Sequence, residues 1–131
     1  ADGLSFPDGF AEADNALREK GLDADIAAHL VNVYGARHPS IAGGDTTRII
    51  AGLPNIWAEV DYAVTEESAL TPADVLIRRT AIYYEAPDQG LECVEALADR
   101  MAKLLSWDEN TRNRHIQDYR DTVAESRRWR D

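Results

Sequence analysis

A chain of 131 residues with 44% hydrophobic and 29% charged residues has the size and composition of one globular domain, which excludes a disordered segment. Its 24 acidic residues outnumber 14 basic ones, and a net charge of -10 argues against binding to nucleic acid or directly to a membrane surface. The lone Cys93 excludes an internal disulfide and favours a reducing, cytoplasmic setting. No apolar run approaches the roughly 20 residues that span a bilayer.

The first half of the chain predicts two helices and a loop. Asp8 is placed to cap a helix that ends near Gly21, and Asp23 to cap a second helix that ends at Gly35. Residues 36–54 are rich in glycine and proline and are predicted as a loop with one helical turn at 47–51. The apolar residues predicted to face inward from the two helices are Phe10, Ala13, Leu17, Ile26, Leu30, Val33 and Tyr34.

The next stretch predicts a helix over 56–68, a tight turn, and a second helix. The run Thr71-Pro72-Ala73-Asp74 combines an N-cap, a proline at the first helical position and an acid three residues after the cap. The helix that starts there is predicted to continue to Tyr83 or Tyr84 and to end before Pro87.

Two more helices are predicted towards the C-terminus. Asp88 is placed to cap a helix whose apolar stripe runs from Leu91 to Leu105. Ser106 and Glu109 are predicted to form a capping box for a last helix, which ends in Arg127, Arg128 and Arg130. Six helices with short connections and no strand predict an all-α fold, a single compact bundle in which residues 1–131 form one domain.

Two charged residues interrupt the predicted apolar faces. Glu67 returns to within about 20° of the direction of Val60 on its helix, and Arg79 falls within the stripe of the next helix, whereas Arg78 points the opposite way. A lone buried charge costs several kcal/mol, so we predict that Glu67 and Arg79 pair inside the core, with Asp74 or Glu59 joining them. Such a pair could bind an anion, but fixing how two helices dock is the favoured interpretation.

The usual patterns of catalytic, cofactor and metal sites are missing. Gly43-Gly44 lacks the third glycine and the preceding strand of a dinucleotide-binding loop. His29, His38 and His115 lie in three separate segments with no partner at metal-ligand spacing. Cys93 lies beside acids, which do not stabilise a thiolate, and is predicted to be a small core residue. We therefore predict no catalytic, cofactor-binding or metal-binding residue in this chain.

The segment 59–80 resembles a known family. It reads EVDYAV at 59–64, followed by Glu67, Ala69, Thr71, Asp74, Leu76 and Arg78-Arg79-Thr80. This pattern is similar to that of the C-terminal domain of aerobic, FAD-dependent glycerol-3-phosphate dehydrogenases and alpha-glycerophosphate oxidases. Shorter matches at 34–35, 52–54 and 104–108 extend the resemblance over about residues 26–119, while the segment 37–51 departs from the pattern.

The resemblance implies a structural or interaction domain of a larger flavoenzyme. In that family the intact protein oxidises glycerol 3-phosphate to dihydroxyacetone phosphate, with electrons passed through FAD to quinone, or to oxygen in the oxidases. The family is found on the inner face of the cytoplasmic membrane, and its FAD and substrate groups lie in N-terminal domains. The resemblance thus implies that this chain is inactive alone, holds no cofactor and packs against those domains. The start at Ala1 rather than methionine leads to the same expectation of a piece processed or cut from a larger protein.

A hypothesis from a different class is a free-standing helical module that binds a partner protein or a small anion near Arg78-Arg79. An upstream reading frame with a glycine-rich βαβ start would favour the flavoenzyme, and a start just before Ala1 would favour the module. An independent small enzyme has the least support, since no nucleophile–base pair or metal-ligand set is visible.

Overall fold

The computed structural model describes residues 8–130, with side chains from 10 to 129, and this part of the chain is all-helical, as predicted. It forms two compact units, which divide between Glu59 and Val60. No strand is present in the described range, where an isolated antiparallel bridge joins Arg48 and Ile56. None of the helices seen there is long and apolar enough to cross a membrane. A single domain over 1–131 remains a prediction.

Within the described residues, the first unit contains three complete α-helices and a short 3-10 helix. Gly21 (φ 100°) and Gly35 (φ 54°) end the first two helices, as predicted, because glycine adopts left-handed backbone conformations without steric cost. The core residues of this unit include Leu17, Ile26, Ala27, Leu30, Val31, Ile41 and Ile56. The elements are α1 (Asp8–Glu19), α2 (Ala24–Tyr34), the 3-10 helix (Gly35–Arg37) and α3 (His38–Ala42).

Three local predictions for this unit were wrong. Asp23 precedes α2 but caps nothing, because its carboxylate accepts a hydrogen bond from the Arg48 guanidinium instead. Part of the predicted loop is helical (the 3-10 helix and α3), whereas the helical turn predicted at 47–51 is absent. Val33 is 53% exposed rather than inward-facing. The predicted Asp8 cap lies outside the described side chains.

The second unit begins within a helix, α4, whose first residues belong to the first unit. Its core residues include Val60, Ala63, Val75, Leu76, Ile82, Leu97, Met101, Ile116, Tyr119 and Val123. α6 packs along α7, and α5 packs against the π-helix. The elements are α4 (Trp57–Glu66), a π-helix (Asp74–Arg79), α5 (Ile82–Glu85), α6 (Val94–Leu105) and α7 (Glu109–Arg130).

The helix predicted from Thr71 to Tyr83 or Tyr84 is broken into two. The Thr80 N–H and hydroxyl both donate to the Val75 carbonyl, each at 2.9 Å, which closes a wide π-type turn. Ala81 then adopts a left-handed conformation (φ 59°), and α5 starts at the next residue. The prediction of one continuous helix was therefore wrong.

The two helix caps predicted near the C-terminus are also absent, and other contacts take their place. The Asp88 carboxylate accepts hydrogen bonds from the N–H groups of Gly90 (3.0 Å) and Glu92 (2.8 Å), so it stabilises the turn that precedes α6. Ser106 (φ 59°) ends α6, and the first turn of α7 is capped by Asp108, which accepts from the Thr111 N–H at 2.7 Å. The Ser106–Glu109 capping box was therefore wrong.

Cys93 is buried, as predicted for a small core residue, and burial raises the pKa of its thiol to about 12.

Candidate functional site

The predicted charged pair lies at the surface of the second unit. Arg79 Nε is 3.8 Å from Glu67 Oε1, and Arg79 Nη2 donates to the Glu67 carbonyl at 3.4 Å. The two residues therefore meet, as predicted, but their side chains are 44% and 27% exposed, so the prediction that the pair lies inside the core was wrong. For Arg79 the physical reason is the π-helix over residues 74–79, since an angle of 100° per residue applies only to an α-helix. Glu67 lies one residue beyond the end of α4.

Asp74 does not join that pair and forms a reciprocal cap with Thr71, as predicted. Its carboxylate accepts from the N–H groups of Leu70 (3.0 Å) and Thr71 (3.2 Å), and its own N–H donates to the Thr71 hydroxyl at 3.1 Å. The other carboxylate oxygen is 3.8 Å from Arg78 Nη1. Arg78 itself points outward, as predicted, with 77% of its side chain exposed.

Glu59 is a buried acid of the first unit, with 1% exposure. Its Oε2 accepts from the Ile56 N–H at 2.7 Å, and its Oε1 accepts from the Tyr34 hydroxyl at 2.8 Å. His29 Nε2 lies 2.9 Å from the same Oε1. The carboxylate is therefore held by three groups of its own unit, from α2 and from the start of α4.

This cluster was not predicted from the sequence, although the contact between Glu59 and Ile56 had a local signal. A glutamate in the third helical position commonly reaches back to the N–H of the capping residue, which is the relation of Glu59 to Ile56 at the start of α4. The contacts with His29 and Tyr34 cross 30 and 25 residues of sequence and have no local signature.

Arg48 forms a second cluster in the first unit that sequence analysis did not foresee. Its guanidinium makes a two-pronged contact with Asp25 (2.8 and 2.7 Å), and also donates to Asp23 (2.9 Å) and to the Leu53 carbonyl (2.8 Å). Hydrogen bonding to Arg48 lowers the pKa of Asp25. The cluster connects the segment before α4 to the start of α2, which is a structural role.

Gly44, in the glycine pair at 43–44, packs closely against α4. A Cβ added to Gly44 would come within 3.0 Å of the Ala58 Cβ, so the missing side chain lets the backbone approach α4. Within residues 8–130, no group of three or more His, Cys, Asp or Glu side chains could hold a metal ion. His38 is buried at the start of α3, and the His115 ring stacks on Trp107 with centroids 4.1 Å apart.

Comparison with known proteins gives a family and several relatives. The model of a family described as the C-terminal domain of alpha-glycerophosphate oxidase matches residues 8–112. A probable mitochondrial glycerol-3-phosphate dehydrogenase of Dictyostelium discoideum is 31% identical over 116 residues, covering 82% of this chain and 18% of that protein. A glycerol-3-phosphate dehydrogenase of Synechocystis is 32% identical over 111 residues, covering 80% of this chain and 20% of that protein. A glycerol-3-phosphate dehydrogenase of Mycobacterium leprae is 29% identical over 136 residues, covering 92% of this chain and 22% of that protein. The chain thus spans about a fifth of the length of these relatives.

Proposed function

Because the chain belongs to the family of C-terminal domains of alpha-glycerophosphate oxidase, we propose that it is the non-catalytic C-terminal domain of an FAD-dependent glycerol-3-phosphate dehydrogenase. The observation that carries the proposal is the family match over residues 8–112, joined to relatives named as glycerol-3-phosphate dehydrogenases. The domain would stabilise the assembled enzyme and take no part in the reaction.

The contacts of the charged motif residues support a structural role. Glu59 accepts from Ile56 and Tyr34, and Asp74 closes the cap with Thr71. Arg79 lies beside Glu67. Each of these groups contacts atoms of the same unit, and a side chain that fixes local structure needs no substrate to explain it.

The chemistry of the proposed parent enzyme belongs to the part of the protein outside this chain. That part would bind FAD and glycerol 3-phosphate, oxidise the substrate to dihydroxyacetone phosphate, and deliver electrons to quinone or oxygen. It would also be the partner against which this domain packs, at the inner face of the cytoplasmic membrane. No residue of this chain is assigned to a step of the reaction.

The alternative, a free-standing module that binds an anion near Arg78-Arg79, finds less support in the contacts. Arg78 has Asp74 within 3.8 Å and Arg79 has Glu67 within 3.8 Å, so each guanidinium already faces a carboxylate. An anion would have to approach against two negative charges.

The proposal is tested by purifying the 131-residue chain beside the product of the complete reading frame. We expect the complete product to carry FAD and to reduce a quinone analogue when glycerol 3-phosphate is added. The chain alone should show neither a flavin spectrum nor that activity. Stoichiometric FAD in the chain alone, or a reading frame without an upstream dinucleotide-binding loop, would overturn the proposal.

A further inference from the structure

A groove in the second unit lies between the turn that precedes α6 and the second half of α7. It has a volume of about 610 Å³ and is lined by Leu91, Arg120, Val123, Ala124 and Arg127. We propose that this groove, here called the α7 groove, binds an aliphatic carboxylate whose chain lies along the apolar lining and whose head contacts Arg127. This assignment goes beyond the proposed function, because it gives the chain a small ligand of its own.

The apolar part of the α7 groove lies between two arginines. The four lining residues that α7 contributes fall, at 100° per residue, within an arc of about 100° and therefore share one face of the helix. Arg120 and Arg127 are separated by a rise of roughly 10 Å along the helix axis. Val123 and Ala124 lie between them on that face, and Leu91 adds an apolar side chain from the turn. This length accommodates an aliphatic chain of several carbons.

Arg127 is held in place by uncharged groups. Its Nε donates to the Gln89 side-chain oxygen at 2.8 Å, and its Nη2 approaches the Asp88 carbonyl at 3.5 Å. Neither acceptor carries a charge, and within residues 10–129 no ion pair includes Arg127. The guanidinium is therefore oriented while its charge stays available for a carboxylate.

The side chain that orients Arg127 is itself fixed. Gln89 is 5% exposed, and its amide nitrogen donates to the Ser126 hydroxyl at 3.1 Å. Its backbone carbonyl accepts a hydrogen bond from the Tyr119 hydroxyl. The charged end of the α7 groove is thus formed before a ligand arrives, which lowers the entropy cost of binding.

The two ends of the α7 groove differ in charge, which orients the ligand. Arg120 donates to the Glu95 carboxylate at 2.7 Å, so its charge is already matched. The carboxylate of Asp88 accepts hydrogen bonds from two backbone N–H groups of its own turn. We therefore expect the ligand carboxylate at Arg127 and the aliphatic chain directed towards Arg120.

The lining favours an aliphatic ligand over an extended peptide. A peptide carries an N–H and a C=O at each residue, and burying these groups without partners is unfavourable. The side chains of Leu91, Val123 and Ala124 offer them no hydrogen bond. An aliphatic carboxylate has one polar group, and Arg127 satisfies it.

The test is a titration of the 131-residue chain with sodium octanoate, followed through the backbone amide signals in NMR. We expect saturable shifts at Gln89, Leu91 and Ala124, whereas acetate, which lacks the aliphatic chain, should not produce them. Arg127→Gln should weaken octanoate binding about tenfold, because a charge-assisted hydrogen bond is lost. The same spectra show whether each variant is folded.

Two further variants separate the α7 groove from a general effect of charge. Ala124→Glu changes an exposed position three residues before Arg127 and should also weaken octanoate binding, because it places a carboxylate within reach of that guanidinium. Arg128→Gln removes the same charge as Arg127→Gln from the next residue, which is 76% exposed and outside the lining, and should leave the affinity unchanged.

Three results would overturn the proposal. The first is the absence of saturable shifts with octanoate up to about 20 mM. The second is unchanged octanoate binding in both Arg127→Gln and Ala124→Glu. The third is equal weakening in Arg127→Gln and Arg128→Gln, which would mean that octanoate responds to the charge of the helix end and not to the α7 groove.

Discussion

At the scale of single residues, the contacts of Glu59 lead to a prediction about stability. Glu59→Gln replaces an ionised acceptor of hydrogen bonds from Ile56 and Tyr34 with an amide that can accept through only one of its two atoms. Hydrogen bonds to charged groups contribute about 1.5–3 kcal/mol, so we expect a loss of about 1–3 kcal/mol in the free energy of unfolding. Urea denaturation of the chain at neutral pH measures it.

Glu66→Gln provides the control for that prediction. Glu66 lies on the same helix, α4, but is exposed, and the same chemical change there should alter the free energy of unfolding by no more than about 0.5 kcal/mol. Equal urea midpoints for the two variants would mean that the buried contacts of Glu59 contribute nothing to stability.

His38 gives a prediction about pH. The residue is 7% exposed, and within the described part of the chain its Nδ1 has no hydrogen-bond partner. Burial, with a smaller effect of Lys20, lowers the pKa of His38 below the ordinary value of 6.5. The unfolded chain therefore takes up the proton first, and the stability that the neutral ring provides above pH 6.5 is lost as the pH falls towards the lower pKa of the folded state.

We expect the urea midpoint of the unchanged chain to fall more steeply between pH 7.5 and pH 5.5 than that of His38→Gln. Between pH 7.5 and pH 8.5 the two curves should run parallel, because His38 is then neutral in both the folded and the unfolded state. Parallel curves over the whole range would show that protonation of His38 is not coupled to unfolding.

At the scale of elements, the break between the π-helix and α5 can be probed at Ala81. Its left-handed backbone (φ 59°) costs an alanine about 1–2 kcal/mol, a cost that glycine does not have. Glycine loses about 0.5–1 kcal/mol more conformational entropy on folding, so Ala81→Gly should stabilise the chain by about 0.5–1 kcal/mol. The free energy of unfolding in urea gives the answer.

The same substitution in a regular helix should have the opposite sign. Ala124 lies exposed in the interior of α7, and Ala124→Gly should destabilise the chain by about 0.5–1 kcal/mol. If Ala81→Gly also destabilises, the left-handed conformation at Ala81 is not a source of strain.

The elements that could be predicted from the sequence are those determined by neighbouring residues. Gly21 and Gly35 end helices because of their own backbone freedom, and the cap between Thr71 and Asp74 joins residues three positions apart. The break before α5 could not be predicted, because the residues around Thr80 keep an α-helical apolar pattern. Likewise, the place of Arg48 depends on Asp25, which lies 23 residues earlier.

At the scale of the whole molecule, the excess of acidic residues contrasts with the basic C-terminal end of α7. The last turn of α7 carries Arg127, Arg128 and Trp129, whose ring is 81% exposed. Such a combination is typical of segments that lie at a membrane surface. Here the arginines are partly occupied, because Arg128 pairs with Glu125 at 3.0 Å and Arg127 donates to the Gln89 side chain at 2.8 Å.

We predict that the net charge of -10 decides the outcome and that the chain does not bind anionic vesicles. Each arginine near an anionic surface contributes about 1 kcal/mol, and Arg127, Arg128 and Arg130 with one tryptophan fall short of the two strong signals that stable anchoring requires. Sedimentation with vesicles of phosphatidylcholine and phosphatidylserine at low salt should leave the chain in the supernatant, and Trp129→Ala should change nothing. Binding that disappears both at high salt and in Trp129→Ala would show that the end of α7 outweighs the charge of the whole molecule.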